Sequence, residues 1–161
     1  MVLTAALASS SLAQPEPTAD LRASNWMLSC ASAAGSSALA CEMSKTLTLA
    51  ETGQVFVAVF VLPGNDPEGA AQILRLQLPH GVDVVAGVAL EVDGSPVAAP
   101  LIRTSGPNGL FASTDLTPDL LAALQAGDEM RILFEALSGQ KLSVPVPLSG
   151  FGAVYDRTRV E

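Results

Sequence analysis

Acid–base, nucleophilic or metal chemistry in this chain would have to start from one histidine, His80, and two cysteines, Cys30 and Cys41. A Ser-His-Asp or Cys-His site needs a base that a third group holds in place. His80 lies between Pro79 and Gly81, where a turn is expected, and Asp83 is a carboxylate close enough in sequence to orient it. A small hydrolase built on His80 and Asp83 is therefore the enzymatic alternative. No Gly-x-Ser-x-Gly elbow occurs, and Ser149-Gly150-Phe151-Gly152 does not substitute for one. The glycine-rich loops lack phosphate-cradling spacing. The carboxylates are scattered, without paired or calcium-loop spacing, and Asp93 before Gly94 reads as a turn residue. There is no Cys-x-x-Cys, and His80 is remote from both cysteines, which disfavours a metal site. The expectation is no catalytic residue, no cofactor and no metal.

The cysteines read instead as one disulfide, Cys30–Cys41, in an exported protein. Closing that loop is worth roughly 3 kcal/mol in the chain-entropy treatment. The case for export is the N-terminus. Residues 1–12 are apolar and small, and Ser11 and Ala13 stand at −3 and −1 of a cut before Gln14, as at the end of a secretory signal peptide. A basic n-region is missing, so the start codon is expected further upstream. Residues 1–13 are thus a signal-like segment, 14–22 a polar, proline-bearing linker and 23–157 the folded domain. No run of about 18 uninterrupted apolar residues occurs, so no membrane span is expected in the mature chain. The net charge of −8 argues against nucleic acid and anionic membrane surfaces, because no basic patch faces phosphate. With 161 residues, 49% of them hydrophobic and 15% charged, the chain suits one ordered domain rather than a disordered one.

The elements that would position these residues are mostly strands. Residues 25–30 form a first strand, with Trp26 and Cys30 on one face. Residues 41–49 alternate, with Lys45 interrupting the apolar side, which suits a strand end or edge. Residues 54–62 are apolar on both faces, as in a central strand covered on both sides. Further strands are expected at 73–78, at 84–92 with a bulge at Gly87, at 97–104, at 110–113, at 130–137 and at 141–148. Loops are expected at 31–39, 63–69 and 105–109, and a tight hairpin at Asp93-Gly94. Pro145 and Pro147 cannot donate to a ladder, so their strand must have an unpaired side. One short helix is expected near 117–126, capped by Thr117, begun by Pro118 and Asp119 and ended by Gly127. About nine short strands and one helix predict an all-β, single-domain antiparallel β-sandwich.

The order Trp26-x-x-x-Cys30, Cys41, Leu78-Pro79-x-Gly81-Val82, Gly87-Val88-x-Leu90-x-Val92-Asp93-Gly94, a leucine-rich helix ending at Gly127 and Leu148-x-Gly150-Phe151 resembles the invasion-associated locus B family of Gram-negative bacteria. The resemblance runs from about Trp26 to Asp156. It implies an exported, all-β, disulfide-bearing protein of the periplasm or cell envelope, without an established enzymatic activity. Two departures are visible. Relatives usually carry a second cysteine pair before the helix, and the corresponding positions here are Ser105 and Leu110; a position that is often glutamine is Lys45.

The leading functional expectation is a non-enzymatic periplasmic or secreted protein-interaction module whose partner is an unknown envelope or host protein. The 105–109 loop and the proline-marked 141–148 strand are its candidate contact surfaces. The alternatives are the His80 hydrolase and a small-molecule carrier with an apolar cavity between its sheets. Neither the oligomeric state nor a specific partner follows from the sequence.

Overall fold

A computed structural model of the chain describes residues 20–32, 39–64 and 71–158. The signal-like segment 1–13, most of the 14–22 linker and, of the loops expected at 31–39 and 63–69, residues 33–38 and 65–69 lie outside the described residues. The elements are β1 (Leu21–Ala23), β2 (Met27–Ser32), β3 (Leu39–Leu49), β4 (Val55–Pro63), β5 (Gln72–Leu78), β6 (Val88–Val92), β7 (Ser95–Ala98), β8 (Leu101–Gly106), β9 (Gly109–Asp115), α1 (Pro118–Ala126), β10 (Glu129–Glu135), β11 (Lys141–Pro147) and α2 (Phe151–Asp156). The larger sheet runs β1-β3-β4-β5-β9-β8, with β2 also paired to β3. The smaller runs β11-β10-β6-β7, and every pairing is antiparallel. This is the expected all-β sandwich.

Period-two alternation sorts the side chains. Met43 and Leu47 of β3, Val57, Val59 and Val61 of β4 and Leu74, Leu76 and Leu78 of β5 point inward and are fully buried. They meet Leu90, Met130, Ile132 and Val146 from the smaller sheet in one core. β11 lies at an edge, so Pro145 and Pro147 leave no ladder bond broken on its open side. Thr117 caps α1 by accepting from the Leu120 amide, and Leu120 and Leu124 bury its inner face. Gly127 follows because a Cβ there would meet Val92 Cγ1 at 2.2 Å. Asp93 and Gly94 both have positive φ, as a type I′ turn requires. The Asp93 carboxylate also accepts from the Asp128 and Glu129 amides, which ties the hairpin to the start of β10.

Several expectations are corrected. The first long strand starts at Met27, not Asn25, and Leu21 and Arg22, assigned to the linker, pair with Leu49 and Thr48 in β1. Ser24 joins the two pieces: its amide donates to Thr46 O at 2.8 Å and its hydroxyl accepts from Thr46 N at 3.0 Å. Trp26 therefore turns into the core while Cys30 stays exposed. The strand expected at 84–92 begins only at Val88. Asp83 Oδ1 accepts from the Val85 and Ala86 amides, so 84–86 are a turn and Gly87 is its exit rather than a bulge. The strand expected at 97–104 changes sheets: β7 pairs with β6 and β8 pairs with β9, and buried Pro100, which has no N–H to extend a ladder, marks the crossing. The 105–109 loop shrinks to Pro107-Asn108, because Ser105 and Gly106 belong to β8.

Cys30 and Cys41 stand directly opposite each other in the β2–β3 ladder and are bonded, with Cα atoms 4.0 Å apart. Ser105 and Leu110 are direct partners in the β8–β9 ladder in the same way. The positions that the family resemblance assigns to a second bridge are thus adjacent, and what is absent is the sulfur.

A second, six-residue helix, α2, was not legible. Gly150 opens it at φ +83°, a region that glycine enters without steric cost. Phe151 is 1% exposed and meets Trp26 edge to face, with ring centroids 5.1 Å apart. Tyr155 stacks on Phe151 at 5.9 Å, and its hydroxyl donates to Gln72 Oε1. Lys45 is neither at a strand end nor on an open surface. It points inward from the middle of β3, 4% exposed, with Nζ 5.3 Å from the Trp26 ring centroid. Among the described residues no carboxylate reaches ion-pair distance of it. Burial pushes its pKa below the ordinary 10.5.

Three outcomes follow from this packing. Phe151→Ala lowers unfolding free energy by about 3–5 kcal/mol in denaturant titration, the range for truncating a core aromatic. A folded Lys45 releases its proton at a lower pH than an unfolded one, so the unfolded chain binds more protons between the folded pKa and 10.5. Wild-type stability therefore gains with pH across that window, and the gain is missing in Lys45→Met. Denatured, unreduced protein shows no reactive thiol, and reduction costs roughly 2–4 kcal/mol while leaving the far-ultraviolet circular dichroism of the sheets in place.

Candidate functional site

The outward side chains of β4 are Phe56, Ala58 and Phe60, an apolar row in the middle of the larger sheet. They were expected to be covered by a second layer. The smaller sheet covers only the inner face, and outside them lies a half-open hollow of about 590 Å³. Ala58 is its floor: too small to fill the gap between the two phenylalanines, it is itself only 1% exposed. Neighbouring strands supply polar groups in register, with Thr46 of β3 and Gln77 of β5 on either side of Ala58. Leu49 and Gln54 form one wall; the opposite rim is made by two turns, Pro79-His80 and Pro107-Asn108.

Hydrogen bonds fix that rim. Gln77 Nε2 donates to Asn108 O at 3.1 Å. His80 Nε2 is 3.2 Å from Pro107 O, so the ring nitrogen that faces this carbonyl carries the proton. Gly109 lets the β8–β9 turn approach: its φ is +130°, and a Cβ there would lie 1.9 Å from Leu78 O. Beside the hollow, the Arg75 guanidinium sits 4.8 Å above the Phe111 ring.

This arrangement suits binding. Apart from the imidazole of His80, the lining offers only amides, a hydroxyl, backbone and apolar surface. Its volume falls within the usual range for ligand sites. The expected His80–Asp83 pair is not brought together, because Asp83 is committed to the 84–86 turn and His80 to Pro107. A second depression, of about 420 Å³, lies at the end of the smaller sheet by Val88, Glu135 and Lys141. Neither hollow lies between the sheets, where the carrier reading placed its cavity, and that space holds the side chains of the core. Among the described residues, no three His, Cys, Asp or Glu side chains are grouped as a metal site would require. No described helix is long and apolar enough to cross a membrane. Of the two expected contact surfaces, the 105–109 loop contributes Pro107 and Asn108 to the rim, whereas β11 lies in the other sheet.

Comparison with known proteins agrees along nearly the whole described domain. Residues 26–159 match the family described as Invasion associated locus B (IalB) protein. Two proteins of Brucella abortus, from strain 2308 and from biovar 1 strain 9-941, are each named as an invasion protein B homolog. Each is 29% identical over 136 residues, covering 83% of this chain and 75% of the relative. The crystal structure of invasion associated protein b from Bartonella henselae superposes with a TM-score of 0.70 at 26% identity, covering 83% of this chain and 89% of that one. The same match thus appears in sequence and in strand arrangement, and the chain belongs to the invasion associated locus B family.

Proposed function

We propose that this chain is an exported, non-enzymatic protein of the cell envelope or its surroundings, which acts by binding another protein through the outer face of its larger sheet. The observation that carries this reading is the hollow over Ala58. It combines an alanine floor flanked by two phenylalanines with hydrogen-bonding groups and lacks an oriented acid–base pair. Such a surface supports recognition by apolar contact and hydrogen bonds. Export is supported by the signal-like residues 1–13 and by a disulfide, which persists in oxidising compartments. The relatives are named for invasion, which fits a role exercised through contact. β11 is the weaker surface, since Pro145 and Pro147 interrupt its donors to an added strand.

The test is site-specific photocrosslinking in the envelope of cells producing the full chain. A photoreactive side chain at Phe56 or Asn108 is expected to give a discrete, saturable protein adduct, and one at Ser143 on the smaller sheet none. Equal labelling at all three positions, or none at any, would count against the proposal.

A further inference from the structure

Strand register sets what stands beside the hollow. Ladder pairs place Thr46, Ala58, Gln77 and Phe111 in one row across β3, β4, β5 and β9. Phe60 and Arg75 are partners in the next row. The hollow covers the first three positions of the first row. Arg75 is half-buried, and its guanidinium leans over the Phe111 ring at 4.8 Å from the centroid. Phe111 is two strands away from Ala58, so the cation lies roughly 10 Å from the floor of the hollow.

A guanidinium over a ring uses its flat face, and its N–H edge remains available to an acceptor. Among the described residues that edge has no carboxylate. The ion pair there is Arg131–Glu129 on the smaller sheet, and Asp115, on the same side of β9 as Ser113, does not reach Arg75. The cation is therefore held in place by Phe111 without being neutralised. A carboxylate meeting it finds an oriented partner and costs little further side-chain freedom. In a chain of net charge −8, a fixed cation beside an apolar hollow selects by sign. The hollow itself has no Asp or Glu in its lining with which to receive a basic group.

We propose that the partner protein presents a short linear segment carrying one apolar side chain for the hollow and one carboxylate, roughly 10 Å from it, for Arg75. This assignment rests on the protein-binding reading of the outer face and names the chemistry that the face selects.

The experiment pans the purified full chain against a phage-displayed library of short random peptides. The enriched peptides are expected to combine Asp or Glu with an aromatic or large aliphatic residue. A photoreactive side chain at Phe56 captures a synthetic consensus peptide. In fluorescence polarisation, Arg75→Gln weakens its binding about tenfold, as for loss of a hydrogen bond to a charged group. Replacing the peptide carboxylate by its amide does the same on the wild-type chain. The two changes together cost no more than either alone, whereas a merely structural role for Arg75 gives losses that multiply. Circular dichroism identifies which of Arg75→Gln and Arg75→Met is folded, and either completes the cycle. Enrichment without acidic residues, multiplying losses, an amide peptide that binds the wild-type chain unchanged, or no capture at Phe56 would overturn the assignment and leave protein binding to the crosslinking result in the envelope. No enrichment at all would overturn the linear segment, and together with no envelope adduct would remove both readings.

Discussion

Trp26 and Phe151 meet edge to face 5.1 Å apart, and that contact joins the beginning of the domain to its end. Trp26 lies where the chain passes from β1 to β2, and Phe151 begins α2. Neither element is long enough to hold itself: β1 has three residues and α2 has six. Each depends on an aromatic ring buried against the other, and Tyr155 and Gln72 extend the contact to β5. Most ladders of the sandwich join consecutive strands, while β5–β9 and β6–β10 join strands far apart in sequence. The aromatic seam adds the closure between the first and last elements of the domain.

Much of the fold was legible because its signals are local. Thr117, Pro118 and Gly127 mark a helix through the donors and the space immediately around them. Asp93-Gly94 marks a hairpin because few other pairs accept positive φ at both positions. Alternation in residues 41–49 sorted inner from outer side chains correctly. What failed depends on partners distant in sequence. Lys45 looked like an edge residue because its cover includes the Trp26 ring from another strand's approach, which no local pattern announces. The change of sheet at Pro100 was written in the proline itself, but whether a proline ends a strand or only decorates an edge depends on the neighbouring strands. α2 is too short for a helical period to show.

The candidate site was visible only in an inverted sense. An apolar outer row on a central strand ordinarily means a second covering layer. Here Phe56 and Phe60 are shielded only partly, Ala58 lies buried between them, and the same pattern marks a hollow. His80 drew attention as a possible base. Its role is to tie the Pro79-His80 turn to the Pro107-Asn108 turn and so shape the rim. The bridge positions Ser105 and Leu110 lie in the hairpin that carries this rim. Without a covalent tie, that hairpin relies on its ladder, on Gly109 against Leu78 and on the bonds from Gln77 and His80.

The seam between Trp26 and Phe151 also bears on the order of events in folding. β2 and β3 can pair, and Cys30 can find Cys41, as soon as a short stretch of chain is available, since contacts of low sequence separation form first. Trp26 can meet Lys45 of β3 at the same stage, but its edge-to-face partner Phe151 stands near the end of the domain. The last part of the chain therefore sets when this side of the core can close.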